Sequence, residues 1–344
     1  MSGAKPITPD QITIAVTVFS RRQYVLKAVA SALNQTVPVR VMVVEDCGPD
    51  AGLEAFVKQE FGSRIDYVRN ACRRGLFGNW NACMEVCQTE WLSILHDDDY
   101  LKPYFVESML NLSAVAGDCG LFFGQTDVVD EQGKLMPERM PPPLPIEWRR
   151  VYLKDALIIT PFPFPGQLFR IENARAVGGF RETSLYCGDW EMWSKIIAYY
   201  GAAQTAATVA VQLQHRGWDR GTNQVLRAGK LYPLSYVQHK RNLALLRKTG
   251  VYIPFNRIEF QKKSPLPIRY LARYGSGFSR RILAYNIRLL LLSEPPHWRY
   301  WLVRTGVRLV GSSLLTIPFL VAGLSRRRAS SAQRSSDLKW NALP

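Results

Sequence analysis

The chain has 344 residues, of which 47% are hydrophobic, 21% charged and 11% aromatic, a profile that excludes a disordered or collagen-like polypeptide and suits one large domain with an appendage. Its net charge of +16 is unevenly held: 16 basic and 3 acidic residues lie from Arg257 onward, so the first 256 residues are nearly neutral. Six cysteines without a Cys-x-x-Cys pair and four scattered histidines suggest neither a zinc cage nor a disulfide framework, and the polar residues 1–11 contain no apolar run of a secretory signal, so a cytoplasmic protein with reduced thiols is expected.

From Gln11 onward, short β-branched apolar runs alternate with segments of helical period. The pattern predicts strands over 12–19, 39–44, 65–68 and 91–95. Helices are predicted over 23–34, 51–60 and 79–87, with another begun around Pro103, a residue tolerated in a first helical turn. Such alternation implies an α/β fold with a doubly wound, mostly parallel, Rossmann-like sheet, in which ligands bind beyond the carboxyl ends of the strands. After a strand near 121–123, the proline-rich stretches 140–145 and 161–165 read as extended segments framing a cleft. A helix over 190–200 carries Trp190, Trp193 and Ile197 on one face. A strand over 207–214 leads into a polar loop, 215–224, and a helix over 232–247 closes a body placed at residues 11–256.

Three acidic clusters stand at element ends. The strand over 39–44 runs into Glu45, Asp46 and, after Cys47-Gly48-Pro49, Asp50. Asp50 suits an Asx-turn before the next helix, whereas Asp46 lies where a base or ribose could donate a hydrogen bond to it. The strand over 91–95 runs into His96, Asp97, Asp98 and Asp99. Adjacent carboxylates repel one another, so the cluster is either a solvated acidic turn or a site for a hard divalent cation such as Mg²⁺ or Mn²⁺. Asp189, at the start of the helix over 190–200, reads locally as an N-cap and alternatively as a general base aimed at a hydroxyl.

Together these segments resemble glycosyltransferase family 2, whose members have the GT-A fold. Val16, Thr17, Val18, Phe19, Ser20 and Arg21 resemble its first strand and turn, and Ser31 to Gln35 the end of the helix that follows. Val43 to Asp50 resemble the acidic nucleotide-binding turn. Arg69, Asn70, Gly75 and Asn79 to Asn81 resemble the segment leading to the metal motif, and Ile94 to Asp99 the Asp-x-Asp region. Gly178 to Glu182 and Gly188 to Glu191 resemble the segment bearing the catalytic base, and the likeness covers roughly residues 11–225. Within it, His96 stands where many relatives have the first Asp of Asp-x-Asp, Gly188 replaces a Glu before the base, and Cys47 and Gly48 replace the commoner Gly and Ser.

The resemblance implies transfer of a sugar, with inversion, from a nucleotide-diphosphate sugar to an acceptor hydroxyl, assisted by Mn²⁺ or Mg²⁺. On the matched positions it implies Asp189 as the base and Asp98 as metal ligand, with His215 completing the metal shell or holding the diphosphate. Thr17, Phe19, Arg21, Asp46, Arg73, Arg74 and Asp97 are the implied contacts to the nucleotide sugar. Donor and acceptor identity would rest on the loops 125–167 and 215–224.

In the tail, from about Ser264, arginines interleave with Leu, Ile, Trp and Tyr, and residues 309–324 form an uncharged stretch broken by Pro318 and stopped by Arg326, Arg327 and Arg328. That run is short of the roughly 20 residues of a membrane span and reads as interfacial or re-entrant. A C-terminal helical, membrane-associating extension is therefore expected over 257–328, with a flexible tail over 329–344. The expected partners are an anionic membrane surface at its cytoplasmic face and a glycan or lipid-linked acceptor. A soluble hairpin with a solvated Arg face is the plainer alternative for the tail. A pI near 9.7 also raises nucleic-acid binding, but no zinc-finger or RNP-like pattern accompanies it and no nucleic acid is expected. A non-catalytic nucleotide-sugar-binding protein would lack the base that Asp189 supplies.

Overall fold

The first strand, β1 (Ile12–Val18), is buried along its whole length, as happens at the middle of a sheet covered on both faces. The computed structural model describes residues 6–137, 140, 142–157, 160, 162–215, 225 and 228–250. In it β1 pairs in parallel with β2 (Arg40–Glu45) and with β4 (Trp91–His96), and β3 (Asp66–Arg69) extends the parallel set beyond β2. Ile12, Ile14, Val16 and Val18 enter one core with side chains of α1 (Arg22–Leu33), α2 (Leu53–Phe61) and α4 (Phe105–Ala116). Ala15 faces the other core, with α3 (Gly75–Val86), α5 (Ile171–Ala176), α6 (Gly188–Tyr200) and α7 (Leu231–Lys248). Trp193 and Ile197 are buried there and Trp190 is buried beside Ala156, as their spacing predicts. Burying a large apolar side chain of this kind stabilises by about 1.5–3 kcal/mol.

Beyond β4 the sheet departs from the doubly wound pattern. Strand β8 (Gln167–Arg170) runs antiparallel to both β4 and β6 (Leu121–Val129), and β6 pairs in parallel with β9 (Ala202–Leu213). The short strands β5 (Tyr100–Leu101) and β7 (Trp148–Val151) pair antiparallel with β9. The order β3-β2-β1-β4-β8-β6-β9-β5 is thus a mixed sheet whose longer pairings are parallel. Two reversals cancel, so β1, β2, β4, β6 and β9 point the same way and share one carboxyl edge.

The elements missing from the sequence reading are short ones. Strands β5, β7 and β8 and helix α5 have between 2 and 6 residues, too few for a period to emerge. The longer β6 and the earlier start of β9 arise from their mutual pairing, which begins at Leu121 and Ala202. Helix α3 begins at Gly75, a turn before the predicted 79, because its first N–H groups are satisfied by a side chain from another strand end, described below. The prediction for the 140–145 and 161–165 stretches holds where they are described: none of those residues is in regular structure.

The described residues fall within the first of two units of the chain, Met1–Pro265. Loop residues 216–224, the extension expected over 257–328 and the tail over 329–344 lie outside the described residues. Among the described residues no helix is long and apolar enough to cross a membrane.

Candidate active site

The carboxyl edge is assembled by backbone contacts between strand ends. The Asp46 N–H donates to the Val18 carbonyl at 2.9 Å, which ties the end of β2 to that of β1. Next to it, a Cβ at Gly48 would stand 1.7 Å from the Phe19 carbonyl oxygen, so only glycine fits this approach. Cys47 turns the chain there in the left-handed region, with φ 49°. Glu45, fully buried, accepts from the Gly48 N–H at 3.0 Å and the Tyr67 hydroxyl at 2.8 Å and is paired with Arg69. Arg69 lies directly opposite Glu45 in the β2–β3 ladder, a register the sequence reading did not use.

Asp46 is a cap supplied across the fold. Its carboxylate accepts the Arg74 N–H at 2.7 Å and the Gly75 N–H at 2.9 Å, groups that begin α3, and Asn70 Nδ2 lies 3.4 Å away. Asp50 behaves as the Asx-turn reading expects, accepting the Gly52 N–H at 3.0 Å, and it also pairs with Arg22 at 2.8 Å. Arg73 stacks its guanidinium 4.5 Å from the Phe19 ring centroid. Arg74 instead turns along α3 and forks onto Glu85, with both bonds at 2.6 Å. The Thr17 hydroxyl, buried, donates to the Leu95 carbonyl at 3.3 Å, between β1 and β4.

The acidic run after β4 meets residues from the far ends of the domain. Arg21, in the turn after β1, donates to both oxygens of Asp97 and, through Nη1, to Asp98. Asp98 Oδ2 also lies 2.7 Å from His215 Nε2, at the end of β9, and Arg21 Nη1 is 3.3 Å from that same nitrogen. His215 Nδ1 is 3.5 Å from Glu131, and Tyr24 meets the ring edge-on. Asp99 accepts the Leu213 N–H at 2.9 Å, holding β9 against the acidic turn. His96 packs on Trp80 and Phe164, at centroid distances of 5.4 and 4.3 Å, rings that also stack on each other at 4.3 Å, and its Nδ1 lies 3.6 Å from Asp99. Its buried Nε2 has no hydrogen-bond partner among the described residues.

These surroundings drive Asp97 and Asp98 apart. Burial raises Asp97 to about 6, with Asp98 adding to the rise and Arg21 opposing it. Burial also pushes against ionisation of Asp98, but the His215 hydrogen bond and Arg21 overcome it and bring Asp98 to about 2. The same hydrogen bond raises His215. His96, Asp98 and Asp99 offer ligand atoms within 4.8 Å of one another, and an oxygen-rich set with one imidazole fits Mg²⁺ or Mn²⁺.

Asp189 stands apart from the Arg21 cluster and is linked to it by the electrostatic pull of His96. It is the second residue of α6 rather than its N-cap, a position held by Cys187, and its carboxylate accepts the Trp190 N–H at 2.7 Å. Burial raises it to about 6, against the pull of that N–H and of the His96 charge. Glu191, two residues on, is a packing centre bound to Lys195 at 2.6 Å, Arg241 at 3.1 Å and Ser184. Gly188 is required by its neighbour: a Cβ there would stand 2.6 Å from the Phe77 ring. The structure thus joins Arg21, Asp97, Asp98 and His215 directly, while Asp189 is near enough to His96 to feel its charge. Phe19, Arg73 and Asp46 form an adjoining group at the β1 and β2 ends. Glu45, Glu131 and Tyr24 were missed because their roles appear only once the strands are ordered.

A family model described as Glycosyl transferase family 2 matches residues 13–172. The succinoglycan biosynthesis protein ExoO of Rhizobium meliloti is 30% identical over 127 residues, covering 37% of this chain and 36% of that protein. Chondroitin synthase of Escherichia coli is 25% identical over 191 residues, covering 54% of this chain and 26% of that protein. The chain therefore spans about a third or less of the length of these relatives. Among solved structures, S. aureus TarS 1–349 in complex with UDP-GlcNAc superposes with a TM-score of 0.53 at 12% identity, over 81% of this chain and 88% of that one, which shows the shared fold. The segment that is similar to glycosyl transferase family 2 runs from β1 through β8 into α5 and contains every strand end described above except that of β9.

Proposed function

We propose that this chain is an inverting glycosyltransferase that moves a sugar from a nucleotide-diphosphate donor to an acceptor hydroxyl, in the synthesis of a cell-surface polysaccharide or glycolipid. The observation that carries this reading is the division of labour at one sheet edge. Asp98 is held ionised among Arg21 and His215, while Asp189, which feels the charge of His96, has its proton affinity raised to about 6. A carboxyl tuned that way suits a base working near neutral pH. Asp189 takes the acceptor proton, Arg21 and His215 meet the charge gathering on the leaving diphosphate, and Asp97 accepts from a sugar or ribose hydroxyl. Phe19, backed by Arg73, presents an aromatic face to the nucleobase beside Asp46. Thr17 braces β1 against β4 at this edge, and Arg74, fixed by Glu85, holds the first turn of α3. Asp98 would hold Mn²⁺ or Mg²⁺ with His96 and Asp99, whose ligand atoms converge, and with His215 beside them; the ion supplies Lewis-acid stabilisation of a diphosphate when bound.

TarS bound to UDP-GlcNAc and relatives named for succinoglycan and chondroitin make UDP-sugars the first donors to try. The full-length chain is expected to gain thermal stability with one class of nucleotide sugar plus Mn²⁺ or Mg²⁺ and to hydrolyse it slowly. Ligand at 100 times its Kd contributes about 2.7 kcal/mol. Neither stabilisation nor cleavage across UDP-, GDP- and dTDP-sugars with both metals would dismiss the reading.

The basic tail, with its apolar 309–324 stretch, supports a cytoplasmic-face location at an anionic membrane surface, where a lipid-linked acceptor is presented. Full-length protein is expected to float with phosphatidylserine vesicles, and a chain ending at Lys263 to stay at the bottom of the gradient. Equal behaviour of the two, with salt-dependent DNA binding by the longer one, would assign the tail to nucleic acid instead.

A further inference from the structure

We propose that Arg21 is the resident counter-cation of the acidic cluster, and that a divalent metal gains Asp98 Oδ2 only by displacing it, the freed guanidinium then passing to the donor diphosphate. This rests on the function proposed above and adds a condition to its metal site. Asp97 is 2% exposed, and its neighbour Asp98 has a side chain only 11% exposed. Taking two adjacent carboxylates out of water without a cation costs several kcal/mol per ion, so a positive group must accompany them. Arg21 fills that need with a fork: Nε and Nη2 go to the two oxygens of Asp97 and Nη1 goes to Asp98.

The oxygen it uses on Asp98 is the crowded one. Oδ2 also lies 2.7 Å from His215 Nε2, so both lone-pair directions of that atom already face nitrogen. A metal ion bonds a carboxylate oxygen at about 2.0–2.2 Å, inside the space that Nη1 occupies. Metal and guanidinium therefore exclude one another at Oδ2, and replacing one cation by the other keeps the pair neutralised throughout.

Arg21 is also built to move. It is the residue before α1, with φ −105° and ψ 66°, and its side chain is 27% exposed, so a change of rotamer releases it without disturbing β1 or α1. Its Cα stays at the carboxyl edge, where a released planar fork pairs with phosphate oxygens. The exchange predicts weak metal binding in the absence of donor, because entering metal must break three guanidinium hydrogen bonds.

The test is Mn²⁺ titration of the full-length chain without nucleotide, followed by calorimetry and by the electron paramagnetic resonance of free Mn²⁺. Arg21→Gln keeps a polar, shorter side chain and removes the charge; it is expected to bind Mn²⁺ at least tenfold more tightly than wild type. Arg21→Lys, which reaches one carboxylate at a time, should fall between the two. Circular dichroism and Tm verify that each variant is folded, and if Arg21→Gln is not, the Lys variant decides alone. Mn²⁺ affinity equal to or weaker than wild type in a folded variant would overturn the exchange. Because no donor is present, this outcome is separate from failure of the donor screen, which would remove the enzymatic reading and leave the cation exchange standing.

Discussion

Asp189→Asn is expected to lower kcat by about 10²–10⁴-fold, the usual worth of a positioned base, and at the same time to make the protein more stable. The two effects share a cause. Burial holds Asp189 at about 6, above the 3.8 of an unfolded chain, so the folded state binds the proton more tightly and its ionised form is disfavoured. Stability therefore falls as pH rises from about 4 to about 6, and above that range the ionised side chain costs at most about 3 kcal/mol. Asn keeps an oxygen for the Trp190 N–H and carries no charge. The variant should match wild type in Tm near pH 4 and exceed it increasingly up to pH 7, by roughly 2–4 °C for each kcal/mol. Chemical denaturation at several pH values, beside single-turnover transfer assays, checks both halves. An Asn variant with wild-type kcat would end the base assignment, and a pH-independent stability difference would end the burial argument.

Asp98→Asn is expected to be at least as damaging to catalysis and opposite in its effect on stability. Losing the anionic ligand removes several kcal/mol of charge stabilisation in the transition state, hence a fall of at least about 10²-fold in kcat/KM. Asp98 sits at about 2 because His215 and Arg21 outweigh its burial. A carboxylate depressed in this way contributes stability above its unfolded value, near 4, and loses it as pH falls through about 2. Near pH 5 to 6 the Asn variant should be less stable by about 2 kcal/mol, and the difference should shrink at higher pH as His215 gives up the proton that Asp98 holds on it. It should also bind Mn²⁺ far more weakly by calorimetry. Retained Mn²⁺ binding together with undiminished transfer would place the metal elsewhere. The contrast between a variant that stabilises with rising pH and one whose destabilisation is largest on the acidic side of neutrality separates these carboxylates better than either rate does.

Several parts of the site were legible because they depend on local pattern. β-branched runs of the right length and the helical segments between them placed β1, β2, β4 and β9 to within a few residues, except for the start of β9, and thereby placed Asp46, Asp98 and His215 at strand ends. Trp190, Trp193 and Ile197 were legible as a buried face for the same reason. Asp189 was not fully so: local rules favoured an N-cap, whereas Cys187 holds that position and Asp189 lies inside the first turn. Asp46 reversed the case, since it is a cap, but for a helix that begins 29 residues later. No rule based on neighbouring residues finds a cap at that distance.

The sequence by itself determined which residues end each parallel strand and that their chemistry is acidic, because side-chain period and the charge of a turn are properties of short stretches of chain. Only the tertiary structure decided which ends meet. Arg21 reaches Asp97 across 76 residues and His215 across 194, because β8 reverses the sheet once and β6 reverses it again, returning β9 to the direction of β1 and β4. Strand order of that kind is chosen by the packing of two cores against one sheet, a sum over contacts distant in sequence. It is this order that put a guanidinium and an imidazole on one carboxylate oxygen.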